Sequence, residues 1–385
     1  MSKQLLHTPE GVRDIYGKEY ARKLHVESRL HESLRLYGYE DIQTPVFEFF
    51  DVFSKEIGTT PSKELYKFFD KEGNTLVLRP DFTPSIARCA AKYFCEEQVP
   101  LRFSYMGNTF TNTSNLRGKL KEVTQMGAEL IGDPSVEADA EMISMVVHAL
   151  LSTGLTRFQV SVGEVEYFKG LCEDAGLDEE TETDLRAFIS GKNYFAAQEL
   201  LEEREVPEPY RERLLKVADM FGDMGSLDEA ESMVGNARSF GALERLRKLY
   251  QVLRLYGVAD YISFDLGMLS KYKYYTGVIF KAYTYGIGEA IVKGGRYDRL
   301  LHQFGKEAPA VGFCVVVDSI LEALSRQKVD LPLPEAVKIV PYRPEDYQEK
   351  LAEVQELRRK GIAAALVNVA NEASCHNEAF KGRLR

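Results

Sequence analysis

Leu78-Arg79-Pro80-Asp81-Phe82-Thr83-Pro84 joins two kinds of local order within seven residues. Upstream, residues 63–69, a Lys71-Glu72-Gly73-Asn74 turn and residues 75–78 read as a hairpin. Downstream, Thr83-Pro84 opens a helix that runs to about Phe94. Asp81 and Thr83 therefore stand where a strand passes into a helix, and there backbone N–H groups and a short acid can meet.

Working outward, residues 19–37 form an amphipathic helix with an apolar stripe of Leu24, Leu30, Leu34 and Leu36, ending at Gly38. Residues 39–45 read as a short strand. Residues 101–107 and 121–131 read as antiparallel strands around a polar loop, 112–119. Asp133-Pro134-Ser135 starts a long helix, with Ser135 as N-cap, Glu137 in the first turn and Gly154 just past its end. Residues 158–162 alternate as a strand. From 165 to 256 the chain is helical and charged, and residues 199–209 read as an exposed inter-helix linker whose charges form a solvated face. Strands return at 261–268 and 275–285. Gly286-Ile287-Gly288 lacks the third glycine of a dinucleotide loop and reads as a hairpin turn. Residues 311–317 lead into a helix ending near Arg326. After a linker around Pro332 and Pro334 come a strand from Val337, a helix over 345–360, Gly361 and a strand over 362–369.

A chain of 385 residues can bury a large core and holds two or three domains. Its hydrophobic fraction is 44%, and 21 Tyr with 21 Phe offset the absence of Trp. A net charge of −10 argues against a broad nucleic-acid surface, which relies on Lys and Arg. Cysteines at 89, 95, 172, 314 and 375 form no Cys-x-x-Cys pair, as expected of reduced thiols. No His-x-x-x-His pair occurs, so no metal is expected. The N-terminus lacks an apolar signal region, and the best apolar run, 311–317, is too short to span a membrane. A soluble cytoplasmic protein without a cofactor is expected.

Five stretches carry a wider likeness: Thr8-Pro9-Glu10-Gly11-Val12-Arg13-Asp14, Leu78 to Thr83, Gln125-Met126-Gly127-Ala128-Glu129, Tyr274-Tyr275-Thr276-Gly277, and Gly294-Gly295-Arg296-Tyr297-Asp298. Together they resemble the class II aminoacyl-tRNA synthetases, specifically the histidyl enzymes, over roughly residues 5–325. The resemblance implies an α+β fold: an antiparallel sheet with flanking helices, a helical insertion and a small truncated α/β C-terminal domain. Its expected domains are 1–164 with 257–327, the insertion 165–256, and 336–385 as part of an anticodon-binding domain. The helix, strand and proline of residues 19–45 resemble the motif that builds the dimer interface there.

By the same resemblance, Asp81, Thr83, Gln125, Glu129, Tyr274 and Tyr275 match a histidine pocket. Asp81 takes the α-ammonium position, one methylene shorter than the family's glutamate. Gln125 and Glu129, four apart on a strand, point to one face. The two tyrosines lie beside the imidazole. Singly, each has an ordinary alternative: Asp81 as a helix cap, Gln125 and Glu129 as sheet-surface residues, the tyrosines as core. Where the family carries adenylate-forming arginines, this chain has Thr111, Ser270 and Ser319. A hydroxyl supplies neither the charge nor the bidentate fork of a guanidinium. Arg79, Arg117, Lys119 and Lys271 are the nearby basic residues, with Arg79 expected to pair with a carboxylate.

A histidyl-type pocket without the clamp resembles the regulatory subunits of ATP phosphoribosyltransferases in histidine biosynthesis. That implies a homodimer within a hetero-oligomer with a short-form catalytic subunit, histidine as effector, and neither nucleic acid nor membrane as partner. The alternatives are an active histidyl-tRNA synthetase and a synthetase-like module binding another amino acid or a tRNA.

Overall fold

The computed structural model of the chain describes residues 6–54, 60–97, 100–113, 119–269 and 274–369. By its contacts the chain divides into two compact units, Met1–Val12 with Glu27–Val329, and Arg13–Val26 with Asp330–Arg385.

The first elements are α1 (Gly17–Leu36), β1 (Glu40–Asp41) and β2 (Phe47–Phe49). In α1 the buried stripe is Val26, Leu30 and Leu34, while Leu24 and Leu36 are exposed, so the expected stripe is shifted by two residues at its start. Only Glu40 and Asp41 of the expected strand over 39–45 pair, in parallel with Phe103 and Ser104. The expected hairpin forms from β3 (Lys67–Phe69) and β4 (Thr75–Leu78), with Asp70 accepting the Asn74 N–H at 2.7 Å across the turn. With β2 these strands make a three-stranded sheet. Then α2 (Thr83–Tyr93) starts with Pro84 in its first turn, where a missing N–H costs nothing.

β5 (Leu101–Phe110) and β6 (Glu122–Ile131) form a long antiparallel ladder, with β5 three residues longer than expected. After them α3 (Val136–Ser152) is capped by Ser135, whose Oγ accepts the Ala138 N–H at 3.1 Å. Then β7 (Phe158–Glu164) leads directly into six helices: α4 (Val165–Asp174), α5 (Glu179–Ser190), α6 (Tyr194–Glu203), α7 (Glu208–Lys216), α8 (Met224–Ser232) and α9 (Ala237–Leu255). The two-residue β8 (Phe221–Gly222) interrupts them. The expected linker over 199–209 is half helix, because Leu201 is fully buried and holds α6 to Glu203; Val206 is buried as well. β9 (Ile262–Asp265), β10 (Val278–Thr284), β11 (Val292–Arg296) and β12 (Ala310–Val316) complete the large sheet, and α10 (Val317–Arg326) follows.

That sheet has nine strands in the order β1-β5-β6-β12-β11-β10-β7-β9-β8. The six strands from β5 to β7 are antiparallel throughout, and β1 and β9 join their edges in parallel. β10 and β11 are neighbours, so Gly286, at φ +86°, turns a hairpin as expected. Asp139 of α3 is wholly buried and is bound by Arg296 of β11, at 2.6 Å, and by Arg245 of α9 at 2.5 Å. Arg296 also donates to the Asp133 and Ser135 carbonyls, so sheet, α3 and α9 meet at one ion triad.

In the second unit β13 (Lys338–Tyr342), α11 (Tyr347–Arg359) and β14 (Ala364–Asn368) form the expected β-α-β, its strands parallel. Val340, Val354 and Ala364 are its buried centre.

Candidate functional site

Strand register assembles the site. Directly paired residues point to one face of a sheet, so the row Ile279, Gly295, Gly312, Glu129, Phe103 crosses β10, β11, β12, β6 and β5 on one side. Two glycines in the middle of that row leave room above the backbone. A Cβ at Gly312 would overlap the Glu129 carboxylate, and one at Gly295 would lie 2.6 Å from the Tyr275 ring. The Glu129 carboxyl and the Tyr275 ring thus occupy space that ordinary residues would fill.

Glu129 is 1% exposed. Thr83, in the first turn of α2, donates its hydroxyl to Glu129 Oε1 at 2.8 Å, and Tyr297 donates to Oε2. Desolvation pushes the Glu129 carboxyl up to about 8, against the pull of those two hydroxyls and with a push from Asp81. At neutral pH the site therefore holds a protonated carboxylic acid. Asp81 accepts the Thr83 N–H at 3.2 Å, which places it at the mouth of α2 beside the same carboxyl. Gln125 shares the face of Glu129, and its Oε1 is buried with no hydrogen-bond partner among the described residues. Tyr274 and Tyr275 lie with ring centroids 4.4 Å apart, tilted by 33°, with bonded hydroxyls, and Tyr274 meets Tyr297 edge-on at 6.1 Å. Burial pushes all three phenols above their ordinary range. Tyr105, stacked on Phe82 at 4.4 Å, closes the site between β5 and α2.

All six residues expected to form a pocket are thus brought to one place. Tyr297 was not among them, although it lies in the Gly294–Asp298 stretch; nothing local shows that its hydroxyl meets a carboxyl 168 residues away. Gly312 carried no signal at all, because its role is clearance across a strand pair.

Thr111 lies just past β5, its N–H bonded to the Lys121 carbonyl at 2.9 Å, and Ser319 lies half-buried in the first turn of α10. Ser270, Lys271 and Arg117 lie outside the described residues. Lys119 pairs with Glu289. Arg79 does not pair with a carboxylate as expected: it donates to the carbonyls of Asn108 (2.9 Å), Thr44 (2.9 Å) and Pro45 (3.3 Å) and stacks on Phe82 at 4.0 Å. Three carbonyls and a ring face hold its guanidinium, whose Nη2 lies over Gly107, the strand partner of Gln125. Among the described residues no group of three or more His, Cys, Asp or Glu is placed to hold a metal ion, and no helix is long and apolar enough to cross a membrane.

These elements and their register define a class II aminoacyl-tRNA synthetase-like fold of the histidyl type. The histidyl-tRNA synthetase family profile matches residues 11–320. A histidyl-tRNA synthetase from Nostoc shares the fold at a TM-score of 0.81 and 18% identity, over 98% of this chain and 89% of that one. Within that fold, the chain belongs to the family of ATP phosphoribosyltransferase regulatory subunits. A member from Acetivibrio thermocellus is 42% identical over 94% of this chain and 87% of its own length. The crystal structure of an ATP phosphoribosyltransferase regulatory subunit/histidyl-tRNA synthetase from Bacillus halodurans is 32% identical, with a TM-score of 0.89 over 98% of this chain and 96% of that one.

Proposed function

We propose that this chain is the non-catalytic regulatory subunit of an ATP phosphoribosyltransferase in histidine biosynthesis, that it binds free histidine, and that it activates a short-form catalytic subunit. The observation that carries the reading is the pairing of a buried carboxyl at Glu129 with the unpartnered Gln125 Oε1 on one face. An apolar core does not leave such an acceptor as Gln125 Oε1 unmatched; a donor-rich ligand such as histidine would match it and set its cationic group beside the Glu129 carboxyl, which already accepts from Thr83 and Tyr297. Thr83 and Tyr297 hold the Glu129 carboxyl in place, Asp81 offers a second acid for the ammonium, and the tyrosine pair walls the ring.

Thr111 and Ser319 supply hydroxyls where adenylate formation needs fixed positive charge, and Arg79 is committed to carbonyls. The pocket then binds its ligand without activating it. Feedback needs no more than that: histidine inhibits if the inactive arrangement of the complex binds it more tightly than the active one. A homodimer fits the three-stranded sheet, where Phe47 (53% exposed), Phe49 (56%) and Phe68 (37%) share an outward face. The segment 165–256 is taken as the family's helical insertion, residues 336–385 as a remnant of its anticodon-binding domain, and the cytoplasm as the compartment.

The test is phosphoribosyltransferase activity of a short-form catalytic subunit, with and without this chain, across a histidine titration. Activation that histidine reverses, and that histidine no longer reverses with Asp81→Ala or Gln125→Ala, supports the reading. No effect on the partner removes the regulatory role. Histidine-dependent ATP–pyrophosphate exchange by the chain alone would show an active synthetase instead.

A further inference from the structure

The sheet face that carries Glu129 continues one row over as Tyr105, Gly127, Cys314, Lys293 and Lys281. Lys293 and Lys281 are direct cross-strand partners on β11 and β10, and both line a cavity of about 250 Å³. The turn between α5 and α6 closes its other side and brings a third lysine, Lys192, to the wall. Ile279 and Leu269 give it an apolar floor. Of the residues around Glu129 it shares Tyr275, and Ile279 from the end of that row.

Like charges directly opposed across an antiparallel pair destabilise a sheet, and this chain places two ammonium groups so. One carboxylate, Asp265, acts on Lys281 and on Lys192. Three of the described residues that line the cavity are lysines and none is acidic. Lys192 also sits at φ +56°, in the left-handed region that glycine adopts more readily, yet the turn holds a lysine there. An anion seated among the three ammonium groups would offset their mutual repulsion.

We propose that this cavity is a second ligand site, which takes the phosphate or pyrophosphate group of a small metabolite. Pockets for drug-sized ligands run to about 300–1,000 Å³, so a space of about 250 Å³ suits a pyrophosphate or a phosphorylated sugar better than a whole nucleotide. The apolar floor and Tyr275 would carry the organic part. None of the three lysines stands at Thr111 or Ser319, and neither of those two residues lines the cavity. It stands independently of the ligand of the neighbouring pocket.

Inorganic pyrophosphate is the probe, titrated calorimetrically into the full chain at low ionic strength, with inorganic phosphate in parallel. The expected result is saturable binding that weakens with salt. Lys293→Ala and Lys281→Ala should each weaken it about tenfold, the loss of one charge-assisted contact, whereas Lys360→Ala in the second unit should not. Lys293→Ala should melt at or above the parent's temperature without ligand, since it removes a like-charge neighbour, and that separates lost binding from lost folding; Lys281→Ala, which also takes a cation from Asp265, should melt lower and is compared at a temperature where it is folded. Absence of pyrophosphate binding to the parent chain overturns the site, and so does binding that Lys293→Ala and Lys281→Ala leave unchanged.

Discussion

Replacing Glu129 by glutamine tests the site through a pH dependence whose sign the structure dictates. Burial raises the Glu129 carboxyl from 4.5 to about 8. In the unfolded chain it titrates near its ordinary value. Below about pH 4.5 both states hold the proton, and the native state keeps all of its stability. As pH rises toward 8, the unfolded chain ionises and the folded chain does not, so stability falls by about 1.36 kcal/mol per pH unit. Above 8 both are ionised and the loss levels off. The rise from 4.5 to about 8 corresponds to at most roughly 5 kcal/mol of stability lost between those limits.

Glutamine has nearly the same shape, can accept from Thr83 and can donate to the Tyr297 oxygen, but carries no titrating proton. The variant should therefore match the parent near pH 5 and exceed it by several kcal/mol near pH 9. Urea denaturation of both proteins at pH 5, 7 and 9 measures the difference. Glu164, whose buried carboxyl is also pushed up to about 8, is common to both proteins and cancels. A difference that stays constant from pH 5 to 9 would refute the buried protonated acid. The same acid gives the binding its sign: a ligand cation draws Glu129 into its ionised form, so histidine binding below pH 8 should release a proton. Calorimetry in buffers of different ionisation enthalpy reads that release, which Glu129→Gln should abolish together with most of the affinity. Histidine bound by the glutamine variant as tightly as by the parent would remove Glu129 from the contact set.

Three further outcomes are expected. Gly312→Ala should close the amino-acid site and lower stability by about 1–3 kcal/mol, because its methyl overlaps the Glu129 carboxylate, whereas Gly288→Ala, with nothing within 4 Å, should change neither ligand binding nor the urea midpoint. Arg296→Met should cost about 3–5 kcal/mol in urea denaturation, since it leaves the wholly buried Asp139 with Arg245 as its sole guanidinium. Phe49→Lys should shift the chain from dimer to monomer in light scattering while leaving its melting temperature within a few degrees, because Phe49 is 56% exposed within the chain.

Local signals were legible from the sequence wherever the chain answers to itself. The Lys71–Asn74 turn, the Pro84 helix start, the Ser135 cap and the Gly286 hairpin all rest on contacts within a few residues, and all are present. Readings that depended on distant partners failed in a consistent way. The stripe of α1 moved to Val26, the linker over 199–209 became helix around Leu201, and Arg79 bonded carbonyls in place of an acid. In each case a tertiary partner, invisible in the local pattern, decided which alternative won.

The site itself lies between these two regimes. Its side chains could be named from short stretches, but the space they share could not, because that space is made of missing atoms. Glu129 sits opposite Gly312, which sits opposite Gly295, which sits opposite Ile279, and only this register sets two positions without side chains side by side. A slip of one residue along β12 would turn Gly312 to the other face and put Val311 or Phe313 over the carboxyl. The glycines therefore act as a pair with the register, and neither has meaning without it. The same register sets Lys293 against Lys281 one row away, so the proposed amino-acid pocket and the basic cavity are two consequences of a single strand alignment. A substitution that shifts β11 should disturb both at once, while Gly312→Ala and Lys293→Ala should each disturb one.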